Sequence, residues 1–168
     1  ADATGMRTRG NVNNAGAVTA AATGGTANGT VDAYAYGYAY GLSAWGNIWN
    51  TGDVTAGAVG GTADSQSNDH PIGEAYAYAY GLQAVGSIHN EGAVAASAEG
   101  GMADSAAHAR AQGLWAEGSV ENSGAVTAMA AGGIADTSDT AVAKAEGYGI
   151  YAVQNTTNSG RVSVAALG

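Results

Sequence analysis

At 168 residues the chain has room for one ordinary domain, and its net charge of -9 disfavours nucleic acid and anionic membrane as partners. It contains no cysteine, which excludes disulfide frameworks, thiolate catalysis and cysteine-based zinc sites together. Apolar residues make up 46%, but Phe is absent and Gly accounts for 28 residues, so a core of large interlocking side chains cannot be built from this composition.

In chain order, a first unit at 1–24 holds Gly5-Met6, the anchor Asn14-Ala15-Gly16-Ala17-Val18 and a closing Gly24. A connection at 25–36 follows, with a turn signal at Asn28-Gly29, and the alternating run Tyr34, Tyr36, Tyr38 and Tyr40 crosses its end. The second unit, 37–60, repeats the pattern with Gly41-Leu42, Trp45, Trp49, Asn50-Thr51-Gly52-Asp53-Val54 and Gly60. Its connection, 61–76, is the longest and carries Asp64 and Asp69-His70-Pro71, with the run Tyr76, Tyr78 and Tyr80 beginning at its end. The third unit, 77–100, has Gly81-Leu82, Asn90-Glu91-Gly92-Ala93-Val94 and Gly100, and the shortest connection, 101–108, follows with Asp104-Ser105. The fourth, 109–132, has Gly113-Leu114, Trp115, Asn122-Ser123-Gly124-Ala125-Val126 and Gly132, and its connection at 133–144 holds Asp136-Thr137-Ser138-Asp139. The fifth, 145–168, has Gly149-Ile150, Asn158-Ser159-Gly160-Arg161-Val162 and Gly168.

Within a unit, apolar and small residues alternate with variable ones at period two, as strands require. In the third unit the recurring face reads Leu82, Ala84, Gly86, Ile88, Asn90, Gly92, Val94, Ala96, Ala98, Gly100 and is the expected packed side. The connections differ in steps of four, and lengthening a hairpin by two residues on each strand adds four while keeping every side chain on its face. A three-residue loop with Gly in the left-handed conformation fits Asn14 to Gly16, Asn50 to Gly52, Asn90 to Gly92, Asn122 to Gly124 and Asn158 to Gly160. It would pair Ile88 with Val94 and Ala84 with Ala98. The fold class expected is all-β, a repetitive antiparallel hairpin meander of about ten strands in a single repeat domain, with a β-solenoid or a closed barrel as alternatives.

The first and last strands carry neither Pro nor Lys, the usual edge protectors, and the chain starts and stops at unit boundaries. Edge pairing between copies is the expectation, with the tyrosine runs as stacking ladders that support it. Gly-, Ala- and Asn-rich repeats of this style resemble amyloid-like sheath and extracellular matrix proteins of filamentous prokaryotes. More loosely, they are similar to the Asn-x-Gly-x-Ile coils of filamentous-haemagglutinin-type adhesins. The resemblance implies an exported, self-assembling structural subunit of a fibre, hoop or sheath. The start at Ala1-Asp2-Ala3 suits a secreted product cut after a small residue, and no apolar run is long enough for a membrane helix.

The competing function is a carbohydrate-binding or adhesive module that uses the tyrosines with Trp45, Trp49 and Trp115 as an aromatic platform. Catalysis is not expected, because no Ser, His and Asp set has a nucleophile context. His70, His89 and His108 need not share a site and are read as surface or turn residues. The repeated Gly-Gly-x-Ala-Asp is similar to calcium-binding repeats but lacks their later ligands, leaving Asp64 and Asp69 as the calcium candidates and no other cofactor.

Overall fold

The computed structural model describes residues 1–30, 32–65, 72–135 and 141–168, and every regular element in them is a β-strand. The first coil holds β1 (Asp2–Thr8), β2 (Val12–Asn14), β3 (Val18–Thr23) and β4 (Thr26–Gly29). The second holds β5 (Asp32–Ala44), β6 (Ile48–Asn50), β7 (Val54–Val59) and β8 (Thr62–Ser65). In the third are β9 (Ile72–Ala84), β10 (Ile88–Asn90), β11 (Val94–Glu99) and β12 (Met102–Ala103). The fourth has β13 (Ala106–Ala116), β14 (Val120–Asn122), β15 (Val126–Ala131) and β16 (Ile134–Ala135), and the fifth has β17 (Val142–Ala152), β18 (Thr156–Asn158) and β19 (Val162–Leu167).

Each strand pairs in parallel with its equivalent one coil away. The result is a β-solenoid with four sheets running along its axis: a long sheet (β1-β5-β9-β13-β17), a corner sheet (β2-β6-β10-β14-β18), a facing sheet (β3-β7-β11-β15-β19) and a short sheet (β4-β8-β12-β16). Like stacks on like, so Leu42, Leu82 and Leu114 form one buried row and Ile48, Ile88 and Val120 another. One end of the cross-section is filled by these residues with Val54, Val94 and Val126. Towards the other end the apolar residues of the interior are alanines, first Ala39, Ala77, Ala79 and Ala111 opposite Ala58, Ala98 and Ala130, then Ala35, Ala75 and Ala107 beside Ala63 and Ala103.

The antiparallel meander is therefore corrected to a parallel solenoid. Ile88 pairs with Ile48 and Val120 rather than with Val94. The expected packed face is nonetheless the interior: from Leu82 to Gly100 its residues are buried, apart from the half-buried Gly86. The step of four has a physical cause that hairpins share with coils. Successive coils are offset by 36, 40, 32 and 36 residues, and the difference falls where the short sheet turns back into the long sheet. There β4 and β8 lie face to face with the starts of β5 and β9, and the first coil exceeds the third by two residues on each of these facing legs. The two legs run in opposite directions but bond along the axis, each within its own sheet.

The glycine expectation also changes. Among the described residues no glycine has positive φ, so the corner at Asn90-Glu91-Gly92 is not a left-handed hairpin loop. Gly92 is required because a Cβ there would overlap the Gly52 carbonyl oxygen of the coil before it, and the same contact recurs at Gly52, Gly124 and Gly160. Gly81 serves a different purpose: a side chain on it would occupy the space of the Val94 methyl. The long sheet also slips parity here. Tyr80 pairs with Tyr40 and Leu82 with Leu42 while Gly81 is left out, so Gly81 and Leu82 both face inward and the tyrosines before them face out.

Candidate functional site

Two features recur along the axis with defined chemistry: a buried asparagine ladder and an aromatic outer face. Asn14, Asn50, Asn90 and Asn122 are buried, whereas Asn158 in the fifth coil is exposed. Each Nδ2 donates one hydrogen to the carbonyl of its own corner glycine: Gly16, Gly52, Gly92, Gly124 and Gly160, at 2.7–2.9 Å. The other hydrogen goes to the Oδ1 of the next coil's Asn, and every such bond from Asn14 to Asn158 is 2.7 Å long. In the buried Asn14, Asn50, Asn90 and Asn122 both amide hydrogens are thus used inside the protein, as burial demands. The ladder is also directional. Among the described residues Asn14 enters it as a donor to its neighbour and Asn158 as an acceptor.

On the outer face of the long sheet, Tyr36 stacks on Tyr76, Tyr38 on Tyr78 and Tyr40 on Tyr80, with ring centroids 5.0–5.1 Å apart and planes within 5–7° of parallel. Tyr34 joins the set laterally through Tyr36 at 6.3 Å. His108 continues the Tyr36–Tyr76 column at 5.0 Å, and Trp115 lies 6.3 Å from Tyr151. Because stacking follows the axis, the rings stand on edge and turn their faces toward one another. An aromatic platform for sugars would need ring faces turned outward. Burial, before any charge, raises the phenol pKa of Tyr38, Tyr40 and Tyr78. Tyr76 is raised by burial and then by the Glu74 carboxylate, to which its hydroxyl donates.

Charged groups extend this face in the fourth and fifth coils. Arg110 sits 5.0 Å over the Tyr148 ring, and its Nε lies 3.1 Å from Glu146 Oε2 but off the hydrogen-bonding direction. Lys144, and after it Arg110, holds the Glu146 carboxyl below the ordinary range.

The remaining expected residues are dispersed. Trp45 is 65% exposed just beyond β5, and Trp49 points outward from β6 on the corner sheet, away from the tyrosines. His89 lies next to Trp49 in that sheet, with Nε2 3.1 Å from Glu91 and Nδ1 3.1 Å from Glu121. Asp64 is exposed on β8 beside Asn28, while the Asp104 carboxylate accepts the Ser65 N–H at 2.5 Å. No metal-holding group of His, Cys, Asp or Glu occurs among the described residues. Asp69, His70, Pro71 and the turn Asp136 to Asp139 lie outside the described residues. No helix among them is long and apolar enough to cross a membrane.

The asparagine ladder went unread at the sequence level, although the invariant Asn of all five anchors was its signal. A comparison with protein-family models, curated proteins and solved structures finds no match for this chain.

Proposed function

We propose that this solenoid is a non-enzymatic structural element that extends itself, coil upon coil with further copies, into an extracellular fibre or wall. The observation that carries the proposal is the repeat itself: each row stacks like on like, in register, from one coil to the next, so a further coil fits on the same cross-section. Val54, Val94 and Val126 are 1–2% exposed, whereas Val162 in the same row is 38% exposed. Val164, in the row of the buried Ala20, Ala56, Ala96 and Ala128, is 50% exposed. A further coil of the same cross-section would cover these side chains and pair the open strand edges.

The ladder adds polarity to that contact. Asn158 offers a donor where the Asn14 row of a second copy offers an acceptor, so the joint runs head to tail and propagates. The net charge of -9 opposes association at low salt. Electron microscopy and fibre diffraction of the concentrated protein test the reading. Unbranched filaments, promoted by salt, with a strand repeat of about 4.8 Å along the fibre axis are expected. Discrete monomers at every concentration and ionic strength would overturn it.

A further inference from the structure

We propose that the stacked tyrosines of β5 and β9 form a dityrosine cross-linking site, with Tyr76 oxidised first and Tyr36 as its coupling partner. The inference concerns a covalent modification within one chain and does not depend on assembly.

Three observations converge on this pair. The two rings are nearly parallel, 7° apart, with centroids at 5.1 Å, so small side-chain rotations bring their ortho carbons together. The Tyr76 hydroxyl donates to the Glu74 carboxylate from two residues away on the same face, which provides a proton acceptor at the oxygen that must lose one. Tyr36 is exposed and Tyr76 half-buried on an outer face, within reach of an oxidant in solution. Neighbouring rings form a connected set, with Tyr78 6.1 Å from Tyr76, Tyr38 6.0 Å from Tyr36 and Tyr34 beyond it. A radical formed on any of them has a short path to the Tyr36–Tyr76 stack. His108, on the other side of Tyr76, has no phenol to couple, so the C–C bond forms toward β5.

The oxidant is a haem peroxidase using hydrogen peroxide. Each phenol gives up one electron to the oxidised haem and one hydroxyl proton, the Tyr76 proton passing to Glu74. The two phenoxyl radicals join through one ortho C–C bond, and the two ortho hydrogens leave carbon as protons while the phenolic hydroxyls are restored. Per link the protein loses two hydrogens and one hydrogen peroxide becomes two waters. With no cysteine in the chain, such a bond would tie the second coil to the third where a disulfide cannot.

The test treats the dilute, monomeric protein with horseradish peroxidase and hydrogen peroxide, follows the blue dityrosine fluorescence, and maps links by peptide mass spectrometry. The expected product is a monomer two hydrogens lighter, with Tyr36 joined to Tyr76. Tyr76→Phe, which keeps the ring stack, should abolish that link, Glu74→Gln should slow its formation several-fold, and Tyr148→Phe should leave it unchanged. Links mainly between chains, links dominated by Tyr148 or Tyr151, an unaltered rate in Glu74→Gln, or equal yield from the urea-unfolded chain would each overturn the proposal.

Discussion

The two ends of the coil solve the same packing problem with different side chains. At the corner-sheet end, Leu, Ile and Val rows interlock with the asparagine ladder, and the stretch from Gly5 to Gly24 and its four equivalents has the same length in every coil. At the short-sheet end alanine meets alanine, and coil length varies by fours. Gly37 indicates how close the two layers come there, because a Cβ on it would overlap the Val59 carbonyl oxygen across the interior. A ladder of specific bonds tolerates no change of length, whereas a sleeve of methyl groups lengthens freely as long as parity is kept.

The sharpest way to break the first end is Gly92→Ala. The added carbon meets the Gly52 backbone, which cannot move without disturbing the stack, so a loss of more than about 4 kcal/mol and failure to form a cooperative fold are expected. Gly57→Ala is the control. It lies on the outer face with Ser97 Oγ at 3.5 Å, and should be neutral or raise stability by about 0.5 kcal/mol. Thermal denaturation of the two variants separates close backbone approach from a general intolerance of side chains.

Asn90→Ala comes next. It strands the Asn50 amide hydrogen and the Asn122 carbonyl oxygen in a buried row, which should cost about 3 kcal/mol in urea denaturation. Leu82→Ala thins the apolar filling of the same end and should also cost about 3 kcal/mol, whereas Ala77→Gly, in the alanine sleeve, should cost about 1 kcal/mol. Equal losses for Leu82→Ala and Ala77→Gly would show that the two ends contribute alike.

The second end is tested by shortening it. Removing Ala27-Asn28 together with Ala33-Tyr34 takes two residues from each facing leg, giving the first coil the 32-residue offset that the third already has. The loss should be about 2 kcal/mol by denaturant titration, with circular dichroism unchanged. Removing Tyr34 alone would instead invert the inward and outward residues of that leg.

These experiments also mark what could be read from the residues beforehand. The recurring face from Leu82 to Gly100 was legible because alternation and burial obey the same period whichever strand lies next door. Strand direction was not, since two facing legs and two paired legs both grow by four residues. Asn-x-Gly likewise fits a hairpin loop and a solenoid corner, and what separates them is whether Gly92 meets its own chain or the coil beneath. The outward tyrosines required the parity slip at Gly41 and Gly81, for which a lone glycine within a strand was the available signal. Stacking of Tyr36 on Tyr76, a whole coil apart along the chain, depends on coil length and became visible only with the register.

The smallest expected effect is electrostatic and belongs to the corner sheet's outer face. Hydrogen bonds that the ring donates to Glu91 and then to Glu121 raise the His89 pKa above its ordinary value of 6.5, outweighing the desolvation that lowers it. The imidazolium is therefore favoured by folding. The stabilisation is fully present below the unfolded-state pKa of about 6.5 and is lost as pH rises through the higher folded-state value. His89, Glu91 and Glu121 are all substantially exposed, so solvent screening limits the effect to a few tenths of a kcal/mol, about the worth of an exposed ion pair. A titration of His89 by NMR should give a raised pKa that falls back toward 6.5 in Glu121→Gln, together with a small loss of stability between about pH 6 and pH 8 that the same substitution diminishes. An unshifted titration in the parent protein would show that the two carboxylates do not hold the ring, and would leave the corner sheet's stability resting on its buried row alone.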